Sequence, residues 1–204
     1  MGFNVGLIAP YPDLAELATE VCCELGERVD VRQGDLSAGV AHALDMQSAG
    51  IDVIISRGGT ALAIEQAVEV PVVPIQVTGF DIIKAIHAAT KFGDAMGVIG
   101  FKNVIYGTEC LDSILGVSLE LIYLEEEMGA EKQIAAAVKR GLTIIVGDAV
   151  SSRIAAAHGV KGVLIQSGKD AIVKALEDAK AVAAVRRRER QRGQLRRRTR
   201  AKRR

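Results

Sequence analysis

The residues best suited to capturing a ligand lie together in Val53-Ile54-Ile55-Ser56-Arg57-Gly58-Gly59-Thr60. Three aliphatic β-formers predict a buried strand, and two glycines followed by Thr60 open a helix directly behind it. The start of a helix presents backbone N–H groups without intrahelical acceptors, and the helix dipole favours negative charge there. A carboxylate or phosphate can dock at such a turn, with hydroxyls from Ser56 and Thr60 and a guanidinium fork from Arg57. The competing reading is a tight turn whose glycines serve only their backbone angles, with Arg57 a surface cation.

Other chemistry is sparsely provided. Cys110 is expected in mid-helix within Gly107-Thr108-Glu109-Cys110-Leu111, with no histidine nearby, whereas a catalytic thiolate needs a helix N-terminus or a basic partner. Cys22, Cys23 and Cys110 form neither a disulfide framework nor a metal-ligand spacing. They read as thiols packed on helices. His42, His87 and His158 are far apart in sequence, each on an expected helix, and none is expected to be a ligand. No acid–base pair stands out, and neither GxxxxGK[ST] nor a complete GxGxxG follows any strand, so ATP or NAD is not expected by those routes. No catalytic residue, metal or cofactor is assigned.

The elements that must position the opening turn alternate strand and helix throughout. Phe3 to Ala9 reads as a strand ended by Pro10-Tyr11-Pro12, followed by a helix to Gly26. Arg28 to Gln33, Asp52 to Ser56 and the proline-broken Pro71 to Ile75 read as further strands, the last restricted to an edge. Helices are expected at Leu36 to Ala49, Thr60 to Val68 and from Thr78, whose hydroxyl and Asp81 form a capping box. A second series follows: strands at Met96 to Gly100, Ser118 to Leu124, Thr143 to Val146 and Val163 to Ile165, and helices at Asn103 to Leu115, Glu127 to Arg140 and Val150 to His158. Lys169 to Val185 is an amphipathic helix running unbroken into an arginine-rich tail.

This alternation predicts an α/β fold with parallel sheets and flanking helices. The prolines and the restart near Gly93 favour two small lobes, residues 1–93 and 94–168, with residues 169–185 returning to the first lobe and 186–204 a basic linker or tail. Turns at the carboxyl edges of both sheets would then line an interlobe cleft, where small ligands commonly bind. The candidate ligand-binding residues are Pro10, Tyr11, Ser56, Arg57, Gly58, Gly59, Thr60, Gly79, Phe80, Gly100, Phe101, Asn103, Gly147 and Asp148, with Ser167-Gly168 on the same edge. Lys102 and Arg153 read more simply as surface cations.

Charge is divided along the chain. From Arg186 to Arg204 there are twelve Lys/Arg and one Glu, a net of +11, whereas the other 185 residues carry 14 basic and 24 acidic side chains, a net of −10. Such a tail can bind nucleic acid or an acidic partner, or form a solvated helix leading elsewhere. No apolar run reaches the roughly 18 residues of a membrane span, and the N-terminus lacks the basic region of a signal peptide. A cytoplasmic location is expected.

The blocks Val53 to Ala61, Val70-Pro71-Val72-Val73 with Thr78 to Ile82, Val98-Ile99-Gly100-Phe101 with Asn103, and Val146-Gly147-Asp148 before an alanine-rich helix together resemble the N-terminal effector-sensing domain of propionate catabolism activators. These are sigma-54-dependent transcriptional regulators of the NtrC-like class. The resemblance implies a periplasmic-binding-protein-like fold that senses a small metabolite, 2-methylcitrate in the propionate regulators, and a final helix acting as a linker. It also implies partners outside this chain: an AAA+ ATPase domain and a helix-turn-helix domain through which ATP and DNA would be bound, in a homo-oligomer. The alternatives are a racemase-like enzyme using Cys110 and nucleic-acid binding through the tail.

Overall fold

The structure, a computed structural model, describes residues 3–101, 105, 110–124 and 127–201. Its strands form two four-stranded sheets, both wholly parallel, ordered β2-β1-β3-β4 and β6-β5-β7-β8. In the first, β1 (Val5–Ala9) lies between β2 (Val29–Gln33) and β3 (Val53–Ser56), with β4 (Val72–Pro74) at the edge. The two prolines flanking and ending this short strand account for its edge position, because neither can donate to a ladder. The second sheet repeats the order with β5 (Ala95–Phe101), β6 (Ser118–Leu124), β7 (Ile144–Gly147) and β8 (Lys161–Leu164).

Helices α1 (Pro12–Glu24), α2 (Leu36–Ser48), α3 (Gly58–Ala67), α4 (Gly79–Ala89), α5 (Leu111–Leu115), α6 (Glu127–Lys139), α7 (Ala149–Ala157) and α8 (Lys169–Ala201) connect the strands. Strand alternation divides the first sheet cleanly. Leu7, Ala9, Val53 and Ile55 pack with α1 and with Ile172, Leu176 and Ala179 of α8, while Ile8 and Ile54 face Ala43 and Met46 of α2 and Ile64 of α3. A Cβ on Gly6 would meet Met46 Sδ at 2.6 Å, so glycine lets α2 sit close to that face.

Two helices pack away from the strands that precede them. α4 follows β4, yet Ile82, Ala85, Ile86 and Ala89 join the core of the second sheet and pack against β7 and β8. The chain therefore passes between sheets before α4, not after it at Gly93. Reciprocally, α8 follows β8 but packs on β3, β4 and α1 of the first sheet. Among the described residues, no helix is long and apolar enough to cross a membrane.

Candidate functional site

The carboxyl edges of the two sheets meet. Gln166 donates to Asp13 at 2.8 Å, Arg153 pairs with Asp35, and Leu36 at the start of α2 enters the second sheet's core. Tyr11 at the end of β1 and Arg57 at the end of β3 approach Ile165 to Ser167 beyond β8.

Arg57 is the centre of this junction. Its backbone is extended, it occupies the N-cap position of α3, and its side chain is fully buried at 1% exposure. Nε donates to Ser167 Oγ at 2.9 Å and Nη2 to the carbonyl of Ile165 at 2.7 Å. The guanidinium lies 5.6 Å from the centre of the Tyr11 ring, a cation–π distance. Among the described residues no carboxylate forms an ion pair with it. An arginine cannot shed its charge, and a buried charge without a counter-ion is costly. The alternative of a surface arginine is excluded by its burial.

Tyr11 is 6% exposed. Burial pushes its phenol above the ordinary value, opposed by the Arg57 charge and by the hydrogen bond it accepts from the Ser167 N–H at 3.4 Å. Asp13 and Asp81 add a smaller upward push, which places the α4 start within electrostatic reach. There Thr78 and Asp81 form the expected capping box: Asp81 N–H donates to Thr78 Oγ1 at 3.2 Å, while Thr78 N–H and Oγ1 donate to Asp81 Oδ2 at 2.9 and 2.8 Å.

The helix after Arg57 starts earlier than its glycines suggested. Gly58 and Gly59 are its first residues, and Gly58 adopts φ +58, a left-handed angle that only glycine takes readily. The N–H groups of Gly59 and Thr60 belong to the first turn and receive no side-chain cap. The hydroxyls do not converge with them. Ser56 Oγ donates to Ile8 O of the neighbouring strand at 2.8 Å, and Thr60 Oγ1 accepts the Leu36 N–H at 3.0 Å, tying α3 to α2. Both serve the fold of the first lobe.

Across the cleft, Asp148 is 5% exposed and caps α7, its Oδ1 accepting from Ser151 N at 2.8 Å. A Cβ on Gly100 would stand 3.4 Å from Asp148 Oδ2, so these two are neighbours. Gly147 has a packing reason to be glycine, since a Cβ there would fall 2.2 Å from Ile99 O. Pro10 lies in the bend before α1. Phe80 is 76% exposed and Gly79 has open space beside it, so neither is enclosed in the junction. Asn103, Lys102 and the side chain of Phe101 lie outside the described residues, as does most of the helix expected from Asn103; its described parts are Ile105, helical and buried, and the five-residue α5.

Cys110 is not in mid-helix but exposed at the N-cap of α5. His42, His87 and His158 sit on α2, on α4 and at the end of α7, and among the described residues no three His, Cys, Asp or Glu side chains converge. A groove of about 700 Å³ opens at the opposite, amino end of the first sheet beside Asn4, Cys22 and Arg28. It holds no buried unpaired cation and no helix N-terminus, so the carboxyl-edge junction is the better-equipped site.

The family model described as propionate catabolism activator matches residues 24–189. The chain belongs to that family. The crystal structure of an NtrC family transcriptional regulator from Clostridium acetobutylicum superposes with a TM-score of 0.85 at 26% identity, over 91% of this chain and 99% of that one. The family member is thus a regulatory sensing domain of the NtrC-type activators, within a larger regulator. A second structure, the ABC domain in complex with L-Trp from Streptococcus pneumonia, matches with a TM-score of 0.50 at 10% identity over 88% of this chain and 85% of that one. At that identity the likeness is one of fold. The two parallel four-stranded sheets with flanking helices bear out the expected α/β architecture.

Proposed function

We propose that this sensing domain binds a small carboxylate-bearing metabolite at the junction of its two lobes and signals through α8. The observation that carries the reading is Arg57: a buried guanidinium without a carboxylate partner among the described residues, set at an uncapped helix N-terminus. A ligand carboxylate would supply the missing counter-ion and accept from the N–H groups of Gly59 and Thr60. Tyr11 and Ser167 bound the same space, and the second lobe would complete it from Gly100 and Asp148.

The route to output follows from Arg57's other partners. Ile165 and Ser167 lie between β8 and α8, so a ligand that draws on the guanidinium alters the packing at the foot of that helix. The shift extends only as far as the ligand favours one arrangement over the other. In the full regulator, α8 would lead toward the ATPase and DNA-binding domains.

A thermal-shift screen of di- and tricarboxylates tests the proposal. A true ligand at 100 times its dissociation constant adds roughly 2.7 kcal/mol of stability, and Arg57→Met should remove that gain. A carboxylate that stabilises Arg57→Met as strongly as the parent protein would refute the site.

A further inference from the structure

We propose that the basic extension of α8 binds the phosphate backbone of a nucleic-acid duplex. α8 is a single 33-residue helix. Its body-packing face, Ile172, Ala175, Leu176, Ala179 and Ala183, ends at Ala183, and Val185 is already 57% exposed. Among the described residues, the ion pairs that tie α8 cations to acidic residues end with Lys180 and Glu27. Among the described residues after it, Arg187 lies 5.2 Å from the Phe3 ring and Arg188 is exposed.

Beyond Val185 the chain is a polycation, with a net +11 over residues 186–204. Within the helix, residues 186–201 carry nine Arg and one Glu, a net of +8, or at helical rise about one positive charge per 3 Å, against one negative charge per roughly 1.7 Å along duplex DNA.

Arginines recur four apart at 186 and 190, 188 and 192, 192 and 196, and 196 and 200. Each like-charge pair weakens an isolated helix, and bound phosphates would relieve that repulsion. Leu195 and Ala201 are the segment's only aliphatic residues. It therefore has no apolar stripe for a membrane surface or a partner helix.

The test is fluorescence anisotropy of the full chain with short duplexes of DNA and of RNA, and with polyglutamate of equal charge, at several salt concentrations. Binding to either duplex, with log K falling linearly against log salt, is expected; the two arms show which duplex is preferred. Substituting Arg196→Gln, Arg197→Gln and Arg198→Gln together should lower the slope by about 2.7, at roughly 0.9 for each phosphate no longer neutralised. Circular dichroism and the melting midpoint of the body verify that the variant folds, and Arg57→Met should leave duplex binding intact, which separates this inference from the ligand site. Absence of duplex binding at about 50 mM salt, where phosphate pairing is strongest, would overturn it. So would an unchanged slope in the triple variant, or equal affinity for polyglutamate, which would assign the surface to an acidic protein.

Discussion

The turns after β3 and β7 occupy the same place in two sheets of the same order, and each opens a helix at the interlobe junction. After β7 the N-cap is Asp148, whose carboxylate accepts the Ser151 N–H. The helix carries its own anion. After β3 the N-cap is Arg57, which can accept nothing, and the first turn of α3 has no acidic residue. One turn is closed by an internal carboxylate, while the other sets a cation at an already positive helix end with no acidic residue in its first turn, the arrangement on which the proposed ligand site rests. Equivalent positions in a repeated architecture thus hold a structural cap in one copy and, on the function proposed above, a ligand receptor in the other.

The most severe break of this contrast is Arg57→Asp, which turns the α3 start into a copy of the α7 start. Calorimetric titration should show the carboxylate affinity reduced by at least about 100-fold, as expected for removing a charge-assisted hydrogen bond and adding a like charge. Arg57→Lys should recover little, because a point charge cannot replace the fork that spans Ile165 and Ser167.

Next come the glycines. Gly59→Val places a side chain where the ligand approaches and should weaken binding by about tenfold while costing little in denaturant melts. Gly58→Ala should do the reverse, costing about 1 kcal/mol in stability because of its left-handed φ of +58. Unchanged affinity in a folded Gly59→Val protein would count against the site. On the other lobe, Asp148→Ala removes the internal cap and should lower stability by about 1 kcal/mol, with a smaller loss of ligand affinity than any Arg57 variant.

The smallest effect concerns pH. Tyr11 has a phenol raised above 10.0 in the folded protein, chiefly by burial. The folded state then holds this proton more tightly than the unfolded chain, so the contribution is present below pH 10 and is lost as pH rises through and beyond it. Tyr11→Phe should flatten this alkaline decline in denaturant titrations while leaving the curve near neutrality unchanged in shape.

Much of the architecture was legible because buried parallel strands announce themselves as short aliphatic runs, and Val53 to Ile55 and Thr143 to Val146 stand out in any reading. Periodicity was silent about destination. The stripe of Ile82, Ile86 and Ala89 shows that one face of α4 is buried, but not that it is buried on the second sheet. The hydroxyls misled for a similar reason. Thr60 meets a backbone group 24 residues away and Ser56 one 48 away, and no local pattern encodes such partners. Arg57 was legible as a candidate anion receptor from its place after a strand, whereas its grip on Ser167, 110 residues later, emerges only in three dimensions. Cys110 was misplaced because its flanking residues look helical, though the described helix begins just after it.

The reciprocal placement of α4 and α8 has a consequence for dissecting the molecule. Each half of the polypeptide carries a wall that belongs to the other, so a cut near Gly93 would not release two self-sufficient pieces. The amino-terminal fragment would leave Ile82, Ala85 and Ile86 bare and lack the cover of Ile172 and Leu176, and its counterpart would have the opposite defects. Expressed separately, the fragments should be insoluble or molten; mixed, they should recover native structure by complementation, because each restores the other's missing layer.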